Sequence, residues 1–241
     1  ECATDCDPGL GLYCDIDTGE CTGACLPEAL GRSYVGCEYY PTVTSNISFN
    51  DFAFALAVSN TSEESVVVTI DGGQLRAALI RAVRPLSVEV IELPWVPYLK
   101  IASCYYPGTG IGECKYPGTS ANPGLVPMHV EGGAYRLRAT HPVVVYQFNP
   151  LEYEQTLDNR SVNSFSNDAS LLLPKNAWTS SYSVASWPAA DHSPGFLAVT
   201  SSEKDTAVTL TLPIESRVGS DHEPIPANTP TTLTLGAGDV L

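Results

Sequence analysis

The residues best placed for chemistry are the cysteines. The chain of 241 residues carries eight, and six of them precede residue 38: Cys2, Cys6, Cys14, Cys21, Cys25 and Cys37. Cys104 and Cys114 flank a glycine-rich segment. Zinc ribbons need paired Cys-x-x-Cys knuckles or histidines at ligand spacing, and neither is present. An even count with close spacing points instead to disulfides and an oxidising location, secreted or at a cell surface. Cys2, Cys6, Cys14 and Cys21 allow three connectivities. The reading adopted joins Cys2 to Cys14 and Cys6 to Cys21, which leaves Cys25 for Cys37 and Cys104 for Cys114.

Other chemistry is sparse. The four histidines, His129, His141, His192 and His222, form no His-Glu-x-x-His pattern, and no G-x-S-x-G elbow occurs. Asp191-His192-Ser193 holds triad residue types, but adjacent residues cannot converge as orienter, base and nucleophile. The sequence therefore reads as non-catalytic. Asp15, Asp17 and Glu20 place carboxylates near Gly19, as calcium loops do, yet the distant bidentate Glu of an EF-hand is missing. Between Cys14 and Cys21 the same residues make an ordinary turn. No cofactor is expected, calcium being the weak exception.

The segment Cys104–Cys114, with Tyr105 and Tyr106 inside it and Trp95, Tyr98 and Tyr116 nearby, is the candidate binding loop. Stapling a Gly- and Pro-rich loop removes unfolded-state entropy of about 2–3 kcal/mol. Tyrosine and tryptophan are the side chains enriched at recognition surfaces. The competing reading is a long structural loop held down by its own tyrosines.

The elements that must position these residues are strands. Phe52, Phe54, Leu56 and Val58 alternate with small residues, and Val66, Val68 and Ile70 do the same after the polar turn Asn60–Glu64. Further strands are expected at 88–93, 134–139, 143–148, 170–173 and 182–187. Thr140-His141-Pro142 reads as a tight break between two of them. Leu75, Ala78, Leu79, Ala82 and Val83 fit either a helical stripe or a twisted strand pair. The fold class is all-β: β-sandwich units behind a small disulfide-rich cap over residues 1–32, which is too short to bury a core of its own.

The hairpin formed by Leu56–Val58 and Val66–Ile70 is echoed about 141 residues later by Leu197–Val199 and Ala207–Leu212. Residues 33–241 are accordingly one β-rich domain or a duplicated sandwich with its boundary near 130–190. The C-terminal stretch reads as stopping where a new strand begins, so the second unit is incomplete at Leu241 or completed by strands from 134–188.

Charge narrows the partners. Twelve Lys and Arg stand against 27 Asp and Glu, for a net charge of −15. Nucleic acid and anionic membrane surfaces need a basic footprint that is absent. The longest apolar runs are too short to span a bilayer. Asn46, Asn60 and Asn159 head sequons at expected turns or strand edges, positions open to glycans. Arg136 and Arg138 share one strand face, where they either pair with carboxylates or receive an anionic partner.

Ser33–Pro41, Gly133–Pro150, Ser170–Pro174, Tyr182–Pro188 and Gly195–Val199 together resemble the IgG Fc-binding protein N-terminal domain family, in its bacterial, myxobacterial-like branch. That resemblance implies a secreted or surface-anchored β-rich module, with adhesion to protein or glycan as its role. It transfers no contact residue. The alternatives are a structural subunit of an extracellular assembly that self-associates through strand edges, and a carbohydrate-binding domain using Trp95, Trp178 or Trp187.

Overall fold

The computed structural model describes residues 6–46, 48, 51–100, 127–157, 159–164, 167–186, 195–219 and 223–241. Strands dominate, and the described α-helix is the single turn α1 (Pro27–Leu30). The strands are β1 (Tyr13–Asp15), β2 (Glu20–Thr22), β3 (Gly36–Tyr39), β4 (Phe54–Asn60), β5 (Val66–Gly72), β6 (Leu79–Val83) and β7 (Ser87–Leu93). They continue with β8 (Tyr135–Phe148), β9 (Glu154–Leu157), β10 (Arg160–Asn163), β11 (Ala169–Leu171), β12 (Thr206–Leu210) and β13 (Thr231–Leu235).

The organising element is β8. Its first half lies between β5 and β3, with Val68 opposite Ala139 and Tyr39 opposite Leu137. Its second half lies between β4 and β11, with Val58 opposite Val145 and Tyr146 opposite Leu171. One strand thus serves two half-sheets, β6-β5-β8-β3 and β7-β4-β8-β11. Their inward faces share one core built from Phe54, Leu56, Val58, Val66, Val68, Ile70, Ile91, Tyr135, Leu137, Val143 and Val145.

Two sequence expectations are corrected by this arrangement. Thr140-His141-Pro142 does not divide two strands, because β8 runs through it. The β5 ladder ends at Ala139 and the β4 ladder begins at Val144, so Pro142 sits where no ladder needs its missing N–H. Nor do β4 and β5 form a hairpin. They are not neighbours, and the chain between them crosses from one half-sheet to the other. Alternation alone cannot distinguish the two, since both leave every second side chain inward. The ambiguous stretch near residue 80 is the strand β6, with Val66 opposite Val83 and Ile70 opposite Leu79.

Two polar side chains of β8 and the residue after it replace backbone pairing for the chain beyond β3. Gln147 is buried, donates to the Thr42 carbonyl at 2.8 Å and accepts from the Thr42 amide at 2.8 Å. Asn149 donates to Thr44 Oγ1 at 2.9 Å. Buried amide groups need partners, and these fix where residues 42–44 run.

The cap carries the bridges Cys6–Cys21 and Cys25–Cys37. Cys14 is also disulfide-bonded; Cys2, Cys104 and Cys114 lie outside the described residues. The cap docks on the bend of β8. Arg138 reaches Asp7 at 3.3 Å on one side and Asp71 at 2.8 Å on the other, while Arg136 holds Glu38 at 2.8 Å. Both arginines therefore pair with carboxylates. Gly11 has φ +62, and a Cβ there would lie 2.2 Å from the Thr140 carbonyl oxygen, so the close approach of cap to β8 requires glycine.

A second contact ties residues 129–134 to the C-terminal strands. Val130 bridges Val240, and the Ala134 amide donates to the Gly238 carbonyl at 2.9 Å. Asp239 is buried beside them. It accepts from the amides of Gly132 at 2.9 Å and Gly236 at 2.7 Å, and its Oδ2 lies 2.8 Å from His129 Nε2. Burial pushes its carboxyl up, but the two amides and the His129 ring outweigh this and hold it below the usual carboxylate range. A depressed folded-state value stabilises the junction above the unfolded value, and that stabilisation is lost as pH falls through the folded one. Hydrogen exchange at Val130 and Val240 is expected to accelerate only below the ordinary carboxylate range. An Asp239→Asn variant should lose that acid dependence.

Candidate functional site

Paired strands put residues of one parity on the core side and the other parity outward. On the half-sheet β7-β4-β8-β11 the outward parity is apolar. Val90 stands opposite Ala57, Ala57 opposite Tyr146, and Tyr146 opposite Leu171, so one row crosses four strands. The next row is Val88, Ser59 and Val144. Val88 is 58% exposed, Val90 50%, Tyr146 41% and Leu171 41%. Along β4 the residues of that parity, Ala55, Ala57 and Ser59, are small, Ala55 fully buried and the other two half-buried, while both flanks carry larger side chains. The face is therefore a shallow apolar trough, with Glu92 at its rim. Contiguous exposed apolar surface of this kind marks association sites.

Sequence reading did not single out this face, although a signal for it is present. Val143-Val144-Val145-Tyr146 is apolar at both parities, as is Val88-Glu89-Val90-Ile91 in part. A strand apolar on both sides is covered on both sides or presents an apolar surface.

The residues selected from sequence fall elsewhere. Trp95 is half-buried against the core, its Nε1 donating to the Phe52 carbonyl at 2.8 Å and its ring 5.7 Å from Phe54. Lys100 Nζ lies 4.3 Å from that ring and donates to the Ser48 carbonyl at 2.6 Å. Burial lowers the Lys100 ammonium to about 8, against the opposing pull of Asp51. Tyr98 is 54% exposed. Tyr105, Tyr106 and Tyr116 lie outside the described residues, as do Trp187, His192 and His222. Trp178 packs its ring 5.4 Å from Tyr40 and donates Nε1–H to the Leu173 carbonyl at 3.0 Å. The two described indoles thus direct their N–H groups to main-chain carbonyls.

In the turn between β1 and β2, the Asp15 carboxylate accepts from the Asp17 amide at 2.9 Å and also from Thr18. It caps the turn that Asp17 and Glu20 share. Among the described residues no group of three or more His, Cys, Asp or Glu side chains could hold a metal ion. His141 lies 3.2 Å from Glu64, as a side chain paired across the loop after β4. The sequon at Asn60 is not a surface site. Asn60 is 1% exposed, and its amide donates to the Glu64, Val83 and Arg84 carbonyls. Asn159 is exposed at the tip of β9–β10, with φ +62.

A family model described as IgGFc binding protein matches residues 168–241. The match is less than half of the chain. It takes in Ser170–Pro174, Tyr182–Pro188 and Gly195–Val199, and leaves out Ser33–Pro41 and Gly133–Pro150. No curated protein and no solved structure matches the chain. Among the described residues no helix is long and apolar enough to cross a membrane.

Proposed function

We propose that this protein is an extracellular, non-catalytic binding module that recognises a protein partner through the outward face of β7-β4-β8-β11. The observation that carries the reading is the apolar row Val90, Ala57, Tyr146 and Leu171 across four strands, in which Val90, Tyr146 and Leu171 are exposed and Ala57 is half-buried between them. The family match supports a protein partner, and the disulfides fit an oxidising compartment. The carbohydrate reading loses support at Trp95 and Trp178, whose rings pack against Phe54 and Tyr40.

An adhesive role on a bacterial surface is the finer form of this proposal. Antibody would be an unexpected ligand there, so the test panel should hold surface proteins and glycans as well as immunoglobulin Fc. The experiment compares the wild-type chain with Val90→Asp and Tyr146→Asp against that panel by biolayer interferometry. Surface substitutions of this kind change stability by roughly 0.5 kcal/mol or less. Binding to the captured protein is expected to weaken at least about tenfold, since a charge must be desolvated in the interface. Affinity unchanged by both substitutions would reject this face as the site.

A further inference from the structure

The pairing around β4–β7 recurs at the C-terminal end. In the first arrangement Ser59 of β4 pairs with Val88 of β7, and Val66–Ile70 of β5 pair with Val83–Leu79 of β6. In the second, Thr200 pairs with Val240, and Thr206–Leu210 of β12 pair with Leu235–Thr231 of β13. The details repeat as well. Asn60, at the end of β4, donates to the Arg84 carbonyl, and Ser201 donates to the Gly236 carbonyl. Leu86 at φ +50 and Gly238 at φ +79 each stand two residues before the pairing valine.

What differs is the strand between. In the first arrangement β8 pairs with β5 through Ala139 and Leu137 and with β4 through Val145 and Val144. Leu56, Val58, Val66, Val68 and Ile70 are then fully buried. Among the described residues β12 pairs with β13 alone, and no long strand joins β12 to residues 197–200. Leu197, Val199, Val208 and Leu210, which repeat four of those core positions, are only half-buried. Tyr182 and Val184, 63% and 66% exposed, precede this arrangement as β3 precedes the first, and they too belong to no sheet among the described residues.

We propose that residues 195–241 form a strand-acceptor site whose occupant is one extended polypeptide segment of β8's type, apolar at alternate positions and antiparallel both to β12 and to residues 197–200. The register follows from the repeat. The occupant's counterpart of Ala139 faces Val208, that of Leu137 faces Leu210, and that of Val145 faces Val199. Main-chain hydrogen bonds along the β12 edge supply affinity, and the alternate apolar side chains supply selectivity. Edge-to-edge pairing of β12 with β12 of a second copy would satisfy the same amides but leave Leu197 and Val199 uncovered. Only a strand that spans both walls buries all four half-exposed side chains. This inference stands apart from the outward face, which lies on other strands.

The probe is a fluorescent peptide with the sequence Tyr135–Phe148, added to the intact oxidised 241-residue chain. Saturable one-to-one binding by anisotropy is expected, with slowed hydrogen exchange at residues 206–210. A scrambled peptide of the same composition should bind at least about tenfold more weakly, because it loses the period-two pattern. Val208→Asp should weaken the ordered peptide by a similar factor. Should that variant misfold, the wild-type exchange map decides the matter alone. The proposal fails if the peptide does not bind, if ordered and scrambled peptides bind alike, or if protection falls on Val88–Val90 instead. It fails equally if sedimentation shows a dimer in which residues 206–210 are already protected from exchange without the peptide.

Discussion

Tyr135→Ala is expected to lower the unfolding free energy by about 3–5 kcal/mol, the range for deleting a large buried aromatic side chain. Tyr135 is fully buried at the start of β8, its ring 6.0 Å from that of Phe54, and its hydroxyl donates to the Pro94 carbonyl. Gly73 lies against the same ring: with φ +53, a Cβ there would stand 2.5 Å from it. The cavity would therefore open where the first half of β8, the β5 turn and the segment after β7 meet. Tyr135→Phe serves as the control. It keeps the ring and orphans one carbonyl, so the expected loss falls to about 1–3 kcal/mol. Urea denaturation at neutral pH measures both. Equal effects of the two variants would show that the hydroxyl, and not the packing, is what the fold uses.

Asn60→Asp is expected to be as damaging, through electrostatics alone. The side chains are nearly isosteric, but the Asn60 nitrogen faces three carbonyl oxygens, at 2.7 Å from Glu64, 3.2 Å from Val83 and 3.1 Å from Arg84. An aspartate oxygen in that position meets three acceptors with no hydrogen to offer. A buried, uncompensated charge costs about 3–5 kcal/mol at neutral pH. The other oxygen would keep its contacts with the Ser62 amide and hydroxyl. Desolvation and the facing carbonyls place the new carboxyl's folded-state pKa above its unfolded value. Stability of the variant should then fall as pH rises from the unfolded value to the folded one, and recover on acidification. Thermal melts between pH 4 and pH 8, a range of roughly the carboxylate value to well above it, read this directly. A pH-independent deficit would mean that the loop after β4 had simply rearranged.

Both predictions concern residues whose types are ordinary in sequence. Arg136 and Arg138 were legible as sharing one strand face, with Tyr135 and Leu137 on the other; that the second face is the buried one is a finding of the structure. Which carboxylates the arginines meet was not, since Asp7, Glu38 and Asp71 arrive from the cap, β3 and β5. Asn60 read as a turn residue in a sequon. Its burial depends on Val83 and Arg84 returning from β6 to cover it, and no local pattern carries that information. Trp95 read as aromatic recognition surface, but Phe52, Phe54 and Lys100 enclose much of it.

The cysteines came out of sequence best. Close spacing in a segment too small for a core restricts the pairings, and Cys6–Cys21 and Cys25–Cys37 are bonded. Strand composition and period-two alternation were enough for the all-β class, because each depends only on neighbours in the chain. They were also enough to locate β4, β5, β7 and β11 to within a residue or two. Partnership was decided elsewhere. That β4 and β5 sit in different half-sheets, that β8 runs through Pro142 to serve both, and that an apolar row faces outward are consequences of register between distant segments. Two strands of the same pattern can pair with each other or with a third. The choice rests on which arrangement buries all their inward side chains at once, and that sum exists only in three dimensions.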